Sequence, residues 1–463
     1  MQQILLFTGL VVLACILTGR IGDKLPAPTL LLFIGLGMLF GVDGPAHIWF
    51  EDFALTSDAC NIALLFIMFY GGFNTNLERA RPVALQAVLL STAGVVLTAG
   101  AVAVFCRLAF GTGPVQSLLV GSVIASTDAA SVFNVLRGQH LALRDGTDSL
   151  LEIESGSNDP LSYLLTAVCC ALLAGQEVSV PLMLAQQILI GTACGVGVGA
   201  LAAVAVRHVD MAIEQGETIF LIAVAIIAYA LPGVLGGNGF LSVYLAGIVL
   251  GSKPIPAKRD MARTFDVITE ICQMVIFFLL GLLSTPTRLP AVVAPALAIF
   301  AFITFAGRPL ACTALLAWSR PGAAKLAVVS WAGLRGAASA VFALQAVNAG
   351  LDGAVSLFDT VFVLVMVSLV VQGSLLPTIA RILGVVDATT DVMMTFNDFE
   401  EESELSITRV RITAGHPWEG VHVRDLPGTD RFTIVSIVRG GEELIPNGGT
   451  LLLKGDTCNV ASR

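Results

Sequence analysis

Charge is scarce along this chain. Only 13% of its 463 residues are Asp, Glu, Lys or Arg, against roughly 25% in ordinary soluble proteins. A water-soluble surface cannot be covered from so small a supply. With 56% hydrophobic residues and a mean hydropathy of +0.86, the composition excludes a soluble globule of this length. Histidine is limited to five residues, and neither an H-E-x-x-H run nor a C-x-x-C pair occurs, so zinc-protease chemistry and a structural metal lack their ligands. A T-V-G-Y-G filter is missing too, and no basic stripe points to nucleic acid. The first apolar run has no basic segment before it and is followed by Arg20 and a second apolar run, which reads as a first span and not as a cleaved signal. Of nine cysteines, Cys15, Cys60, Cys106, Cys169, Cys170, Cys194, Cys272 and Cys312 fall in or beside apolar runs, and Cys458 lies in the polar tail. They read as small buried hydrophobes, with no disulfide expected.

What the chain has in abundance is apolar runs. They fall near 3–20, 27–42, 56–73, 82–106, 115–137, 148–174, 181–206, 217–232, 238–252, 264–284, 289–318, 323–349 and 356–382. The pattern predicts about 13 transmembrane helices in an all-α polytopic membrane protein. The net charge of −9 matters less than where the charges sit. Odd-numbered connections hold Arg20, Lys24, Arg79, Arg81, Arg137, Arg144, Arg207, Lys253, Lys258, Arg259, Arg263, Arg320 and Lys325, and Arg381 follows the last run. Even-numbered connections hold only Arg107 and Arg288, beside Asp43, Glu51, Asp52, Glu177, Asp352 and Asp359. By the positive-inside rule the N-terminus is expected outside, in the periplasm, and the C-terminus in the cytoplasm.

The stretch Leu151 to Leu161, L-E-I-E-S-G-S-N-D-P-L, places Glu154, Asn158 and Asp159 inside one of these runs. An ionisable residue at membrane depth is expensive and marks a functional site. At helical spacing Glu154 and Asn158, and Ser155 and Asp159, are one turn apart, so the four share a broad face. Pro160 removes a backbone hydrogen bond and is expected to leave carbonyls free for a cation. Besides Glu154 and Asp159, the charges placed in spans are Glu152 near an entrance, Asp128, Arg308 and Arg335. Asp128 stands in A-S-T-D-A-A-S and Arg335 in A-G-L-R-G-A-A-S, both weak helix formers in mid-membrane. Each predicts an interrupted helix whose freed backbone groups face a cavity. Close packing through small residues explains the glycines and serines but not the Asp and Arg beside them. The interruptions lie seven spans apart, which predicts an inverted repeat of spans one to six and eight to thirteen with span seven as linker, an architecture of alternating access.

Composition changes near Asp387. Residues 1–385 read as the transmembrane domain, 386–404 as an acidic linker, and 405–463 as a small α+β cytoplasmic module. In that module, strand patterns at 406–412, 431–438 and 450–453 are separated by Pro427-Gly428, Gly440-Gly441 and Asn447-Gly448-Gly449. The chain stops at Arg463 just after another strand entrance, so a truncated module is expected.

S-T-D-A-A-S-V-F at 126–133, L-E-I-E-S-G-S-N-D-P at 151–160, R-P-L at 308–310 and G-L-R-G-A at 333–337 together resemble the monovalent cation:proton antiporters of the NhaP type, and among them the CvrA-like cell-volume-regulation potassium/proton antiporters. The likeness spans essentially residues 1–385 and implies an NhaA/NhaP-like fold, with two interrupted crossing helices. Residues 406–463 resemble the TrkA-C (RCK-C) domain of that subgroup. The resemblance implies that Asp159 carries cation and proton in turn, that Ser155 and the backbone around Thr127 complete the cation shell, and that Asn158 ties Thr127 to the crossing. It also implies a Glu154–Arg308 ion pair, Arg335 steadying the crossing, Asp128 capping a half-helix, and a homodimer in the bacterial inner membrane. One departure stands out: Tyr70 of F-Y-G-G-F-N-T occupies the place of the family's acidic residue, and Asn74 that of a basic one.

Both lines lead to exchange of a monovalent cation for H+, and the resemblance implies K+ favoured over Na+, in the service of cation, pH and volume homeostasis. No cofactor is expected. With Asn158 and not a second acid beside Asp159, one charge alternates, so electroneutral exchange is expected. The tail reads as a sensor, with a nucleotide as ligand, or as an assembly domain. A tail-gated cation channel and a proton-coupled organic solute transporter are the competing classes; an intramembrane protease lacks a recognisable context for Asp128 and Asp159.

Overall fold

The computed structural model describes residues 9–18, 29–45, 47–75, 81–128, 131–132, 135–136, 139, 141–208, 216–253, 258–387, 406–413, 416–426, 432–439 and 442–462. Arg20, Lys24, Arg79, Arg137, the side chain of Arg259, the acidic linker from 388 to 404 and the Pro427-Gly428 and Gly440-Gly441 turns lie outside the described residues. Two compact units result, Met1–Val392 and Met393–Arg463.

In the first unit every apolar run carries helix. The helices are α1 Gly9–Thr18, α2 Leu30–Phe40, α3 Phe53–Asn74, α4 Ala84–Phe110, α5 Pro114–Val123, α6 Thr147–Leu173, α7 Val180–His208, α8 Gly216–Leu235, α9 Gly239–Gly251, α10 Lys258–Leu283, α11 Pro290–Ser319, α12 Ala323–Trp331, α13 Ala337–Asn348 and α14 Ala354–Ile382. Among the described residues seven helices are long and apolar enough to cross a membrane unaided: α3, α4, α7, α8, α10, α11 and α14. The others are shorter apolar helices, or, for α6, a long one diluted by its own polar residues.

Three of the long helices contain a π turn, at Leu90–Gly94, Ile303–Gly307 and Leu369–Gly373. Two of these have a visible cause: Pro309 and Pro377 collide with the carbonyls of Phe305 and Gly373 four residues earlier, and the extra residue of a π turn relieves the clash. Pro160 acts differently. Helix α6 runs through it unbroken, and the carbonyl of Pro160 itself accepts the Asn238 side-chain amide at 2.9 Å.

Helices α3 and α9 meet backbone to backbone. A Cβ on Gly247 would strike the Phe69 carbonyl, and one on Gly251 the Phe73 carbonyl, so glycine sets the spacing there. Helix α9 also packs on α7, and α10 on α2 and α3. Against this group, α6 lies among α4, α5 and α13.

Two interruptions divide what would be single spans. Helix α5 stops at Val123, leaves 124–128 non-helical, and helix resumes at Ser131; α12 stops at Trp331 and α13 begins at Ala337. A short ladder, β1 Ala142–Leu143 with β2 Val386–Asp387, ties the loop before α6 to the end of α14, extended by Arg144 N–H to the Val385 carbonyl at 2.8 Å. These two-residue strands carry no sequence pattern. Charge placement needs two corrections. Asp359 sits inside α14, 3% exposed, facing Arg288 at 3.6 Å, and not in a connection. Asp266 and Glu270 are further acids within α10, beyond the span charges read from sequence.

The second unit is a four-stranded antiparallel sheet of β3 Ser406–Arg411, β4 Phe432–Arg439, β5 Glu442–Leu444 and β6 Thr457–Ser462, in the order β3-β6-β4-β5. Its core is Ile412, Leu426, Ile434, Ile437, Leu452, Cys458 and Val460, with Trp418 stacked on Phe432. The α+β expectation is corrected here: among the described residues this unit has a 3-10 turn at Val423–Asp425 and no α-helix. The expected strand at 450–453 is also corrected. Its backbone pairs with the 420–423 turn, through Leu452 N–H to Val421 and Val423 N–H to Thr450 (both 3.0 Å), and the segment past it, β6, takes the central place. The first segment reads T-L-L-L and the second T-C-N-V-A-S; apolar content favours the first, and the partner decides for the second.

Arg439 grips Asp456 in a fork, Nε to Oδ1 at 2.8 Å and Nη2 to Oδ2 at 2.6 Å. Those bonds, helped by the Leu453 N–H, hold the Asp456 carboxyl below its ordinary range. A depressed carboxylate stabilises the fold above its unfolded value, about 3.9, and that contribution is lost as pH falls through the folded value. Arg439→Met is therefore expected to speed hydrogen exchange of the β4 and β6 amides at about pH 7 and to approach wild type as pH falls through the folded value of the acid. Equal exchange at neutral pH would show that the fork contributes nothing.

Candidate functional site

Three elements converge on one buried acid: the 124–128 interruption, α6, and the 332–336 interruption. Asp159 is 6% exposed, and Asn158, Ser155, Thr127 and Ser126 are each 2% exposed or less. The hydroxyl of Ser126 donates to Asp159 Oδ1. One residue on, the Thr127 N–H donates to Asn158 Oδ1 at 3.3 Å, and the Asn158 amide returns a bond to Thr127 Oγ1 at 2.5 Å. Thr127 Oγ1 also shares a hydrogen bond with Ser155 Oγ at 2.9 Å. Asn158 thus does for the unwound backbone what a helix would have done, which matters where no water is at hand.

Asp128 closes the interruption. Its N–H donates to the Leu334 carbonyl at 2.9 Å, joining the two interruptions directly. Its carboxylate accepts the Ser131 N–H at 3.2 Å and the Ser131 hydroxyl at 2.6 Å, an N-cap on the following half-helix. The carboxylate lies where a Cβ on Gly336 would be, so only glycine lets the two segments cross this closely. Arg335 completes the crossing by donating from Nη1 to the Ser126 carbonyl at 2.8 Å.

Arg308 and Glu154 form an ion pair beside it. Nη1 and Nη2 reach the two carboxylate oxygens at 2.5 and 2.9 Å, with both side chains almost wholly buried. The guanidinium also donates to the Val329 carbonyl at 3.4 Å, at the end of α12.

Tyr70 is not among these groups. Its hydroxyl donates to Asp266 Oδ1 on α10 at 2.9 Å. The structure thus gathers Asp159, Ser155, Thr127, Asn158, Asp128, Arg335 and the Glu154–Arg308 pair, and sets Tyr70 in a different contact. Ser126 is the residue the spacing did not single out. It stands in the same S-T-D run, but in non-helical backbone neighbouring side chains diverge, so adjacency to Thr127 does not reveal which hydroxyl meets the acid. Chemically, the arrangement offers the Asp159 carboxylate with the Ser126 hydroxyl on it and the Thr127, Ser155 and Asn158 side chains bonded to one another beside it, oxygen chemistry able to hold either a proton or a small hard monovalent cation; among the described residues no cluster of His, Cys, Asp or Glu could hold a transition metal.

A sodium/hydrogen exchanger transmembrane family model matches residues 9–382, and a TrkA-C domain model residues 407–458. The chain belongs to the sodium/hydrogen exchanger family. This exchanger is 35% identical over 460 residues to the K(+)/H(+) antiporter NhaP2 of Shewanella oneidensis, covering 97% of its own length and 79% of the relative's. It is 32% identical to the K(+)/H(+) antiporter NhaP of Alkalimonas amylolytica over 448 residues, 95% and 78% of the two chains. Among solved structures, the sodium proton antiporter MjNhaP1 of Methanocaldococcus jannaschii superposes with a TM-score of 0.69 at 20% identity, over 82% of the exchanger and 99% of that chain. The fold is shared.

Removing one partner of a buried ion pair strands the other. Glu154→Ala is expected to lower stability by about 3–5 kcal/mol, and Glu154→Leu combined with Arg308→Met by far less. Thermal unfolding in detergent measures this; a Glu154→Ala protein as stable as wild type would remove the pair from the structural account.

Proposed function

We propose that this exchanger swaps one monovalent cation, K+ in preference to Na+, for one proton by alternating access, with Asp159 as the shared carrier. The observation that supports the reading most is the buried Asp159 carboxylate at the crossing of two interrupted segments, with the Ser126 hydroxyl on it. A proton and a cation neutralise the same charge, so they compete for it. The empty, ionised acid is expensive to move past an apolar barrier, and the return step therefore favours a loaded site. Competition together with that barrier makes the two fluxes depend on each other.

Ser126, Thr127, Ser155 and Asn158 supply oxygens around Asp159 in this reading, while Asp128, Arg335 and the Glu154–Arg308 pair hold the crossing. The K+ preference follows the names of the relatives from Shewanella and Alkalimonas. Tyr70, in the place of a family acid, bonds Asp266 and supplies no ligand in this reading. The wider reading has thirteen crossings in an inverted repeat, a periplasmic N-terminus and a cytoplasmic C-terminus in a bacterial inner membrane. It also has a homodimer, with a regulatory tail, residues 405–463, after an acidic linker.

In proteoliposomes carrying a pH dye, Asp159→Asn is expected to abolish cation-driven proton release while the protein still inserts and unfolds at a temperature near that of wild type. Retained exchange would take Asp159 out of the mechanism. Since one charge alternates on one acid, imposed membrane potentials are expected to leave the wild-type rate unchanged; a rate that follows the potential would require a second moving charge.

A further inference from the structure

An interruption at membrane depth leaves backbone groups in need of partners, and for the 332–336 interruption two come from the π turn of α14. Before the interruption, the Gln372 side-chain amide donates from Nε2 to the Trp331 carbonyl at 3.1 Å. After it, the Ser368 hydroxyl accepts the Arg335 N–H at 2.9 Å. The same hydroxyl donates to Gln372 Oε1 at 2.6 Å, which locks the two side chains to each other. Pro377 supplies no N–H to the turn before it, and the Gln372 carbonyl accepts the Trp331 indole N–H at 3.1 Å. Ser368 and Gln372 are 0% and 2% exposed. Among the described residues no hydrogen bond joins either of them to Asp159, Ser126, Thr127, Ser155 or Asn158.

We propose that Ser368 and Gln372 are positioning residues for cation binding: from α14 they set the shape of the 332–336 interruption, and Arg335 passes that shape to Ser126 and so to Asp159. The steps are all hydrogen bonds. Ser368 holds the backbone of Arg335, the Arg335 guanidinium holds the Ser126 carbonyl, and the Ser126 hydroxyl holds the acid. A cation that takes up Asp159 has to share or displace the Ser126 hydroxyl. Shared as a ligand, the Ser126 hydroxyl serves best where the chain of bonds holds it, so a Ser126 backbone held less firmly presents it less well and lowers the affinity for the cation. A purely structural clamp would alter how much protein folds, not the concentration at which the folded protein half-saturates.

The inference rests on the exchanger reading, and the test keeps the two apart. Wild type, Ser368→Ala, Ser368→Thr and Gln372→Met are reconstituted at matched protein per liposome, and proton release is followed as K+ or Na+ is raised. Losing a buried hydrogen bond of this kind is expected to raise the half-saturating cation concentration about fivefold in Ser368→Ala. Ser368→Thr keeps the hydroxyl and is expected to restore the wild-type value. Gln372→Met keeps the length of the side chain but has neither a strong acceptor for Ser368 nor a donor for the Trp331 carbonyl, and is expected to shift in the same direction as Ser368→Ala. Combined, the two changes should shift it by less than the product of the single effects, since both act on one chain of bonds. Should Ser368→Ala fail to accumulate, Ser368→Cys, similar in size and weaker in hydrogen bonding, takes its place in the comparison. Half-saturation unchanged in both Ser368→Ala (or Ser368→Cys) and Gln372→Met, whatever happens to the maximal rate, would overturn the proposal. Wild-type liposomes that release no protons with any alkali cation would sink the exchanger reading itself, and this inference with it.

Discussion

Taking a carboxylate out of water disfavours its charged form unless a proton, a cation or a set of donors compensates. Asp159 sits under that constraint at 6% exposure, with the Ser126 hydroxyl as its direct protein partner. Most of the neighbouring structure follows from it. Oxygen ligands near the acid come from backbone that cannot be helical there, so a span has to be interrupted. An interrupted span in lipid exposes peptide groups, so other side chains have to satisfy them. Asn158, Asp128, Arg335, Ser368 and Gln372 are those side chains, drawn from every element that meets at the crossing.

The same constraint separates two kinds of buried charge. Glu154 and Arg308 neutralise each other at 2.5 Å and need no third party, which suits a fixed support. Asp159 has a hydroxyl in that position and, among the described residues, no cation of the protein. Arg335, 1% exposed, directs its guanidinium at a carbonyl and not at the acid. A guanidinium on Asp159 itself would compete with any cation for the same oxygens, so holding it one residue away keeps the carboxylate available.

Packing density follows the same division. Around α3 and α9, glycines bring backbones into contact, a seam with little room to shift. Where α6 meets α9 and α13 the contacts are larger side chains, including Tyr163 against Phe240 and Phe342 and the Asn238 amide on the Pro160 carbonyl. The tail obeys ordinary aqueous rules: a small apolar core, one forked Arg439–Asp456 pair, and short turns in place of helices.

Hydropathy by itself placed the helices, because lipid demands long apolar runs and leaves few other ways to satisfy a backbone. Glycine, serine and threonine around a lone charge in such a run made both interruptions legible, and the spacing of Glu154, Ser155, Asn158 and Asp159 put them on one face. The order of the motifs was enough to point to the family. Contacts between elements far apart in the chain were beyond that reach. That Ser126 and not Thr127 meets the acid depends on how non-helical backbone turns. Tyr70 finds Asp266, 196 residues away, and Ser368 and Gln372 hold an interruption more than thirty residues earlier. The central position of β6 in the tail was likewise decided by its partners. Local pattern records which residues avoid water, and only the folded arrangement determines which polar group each buried one meets.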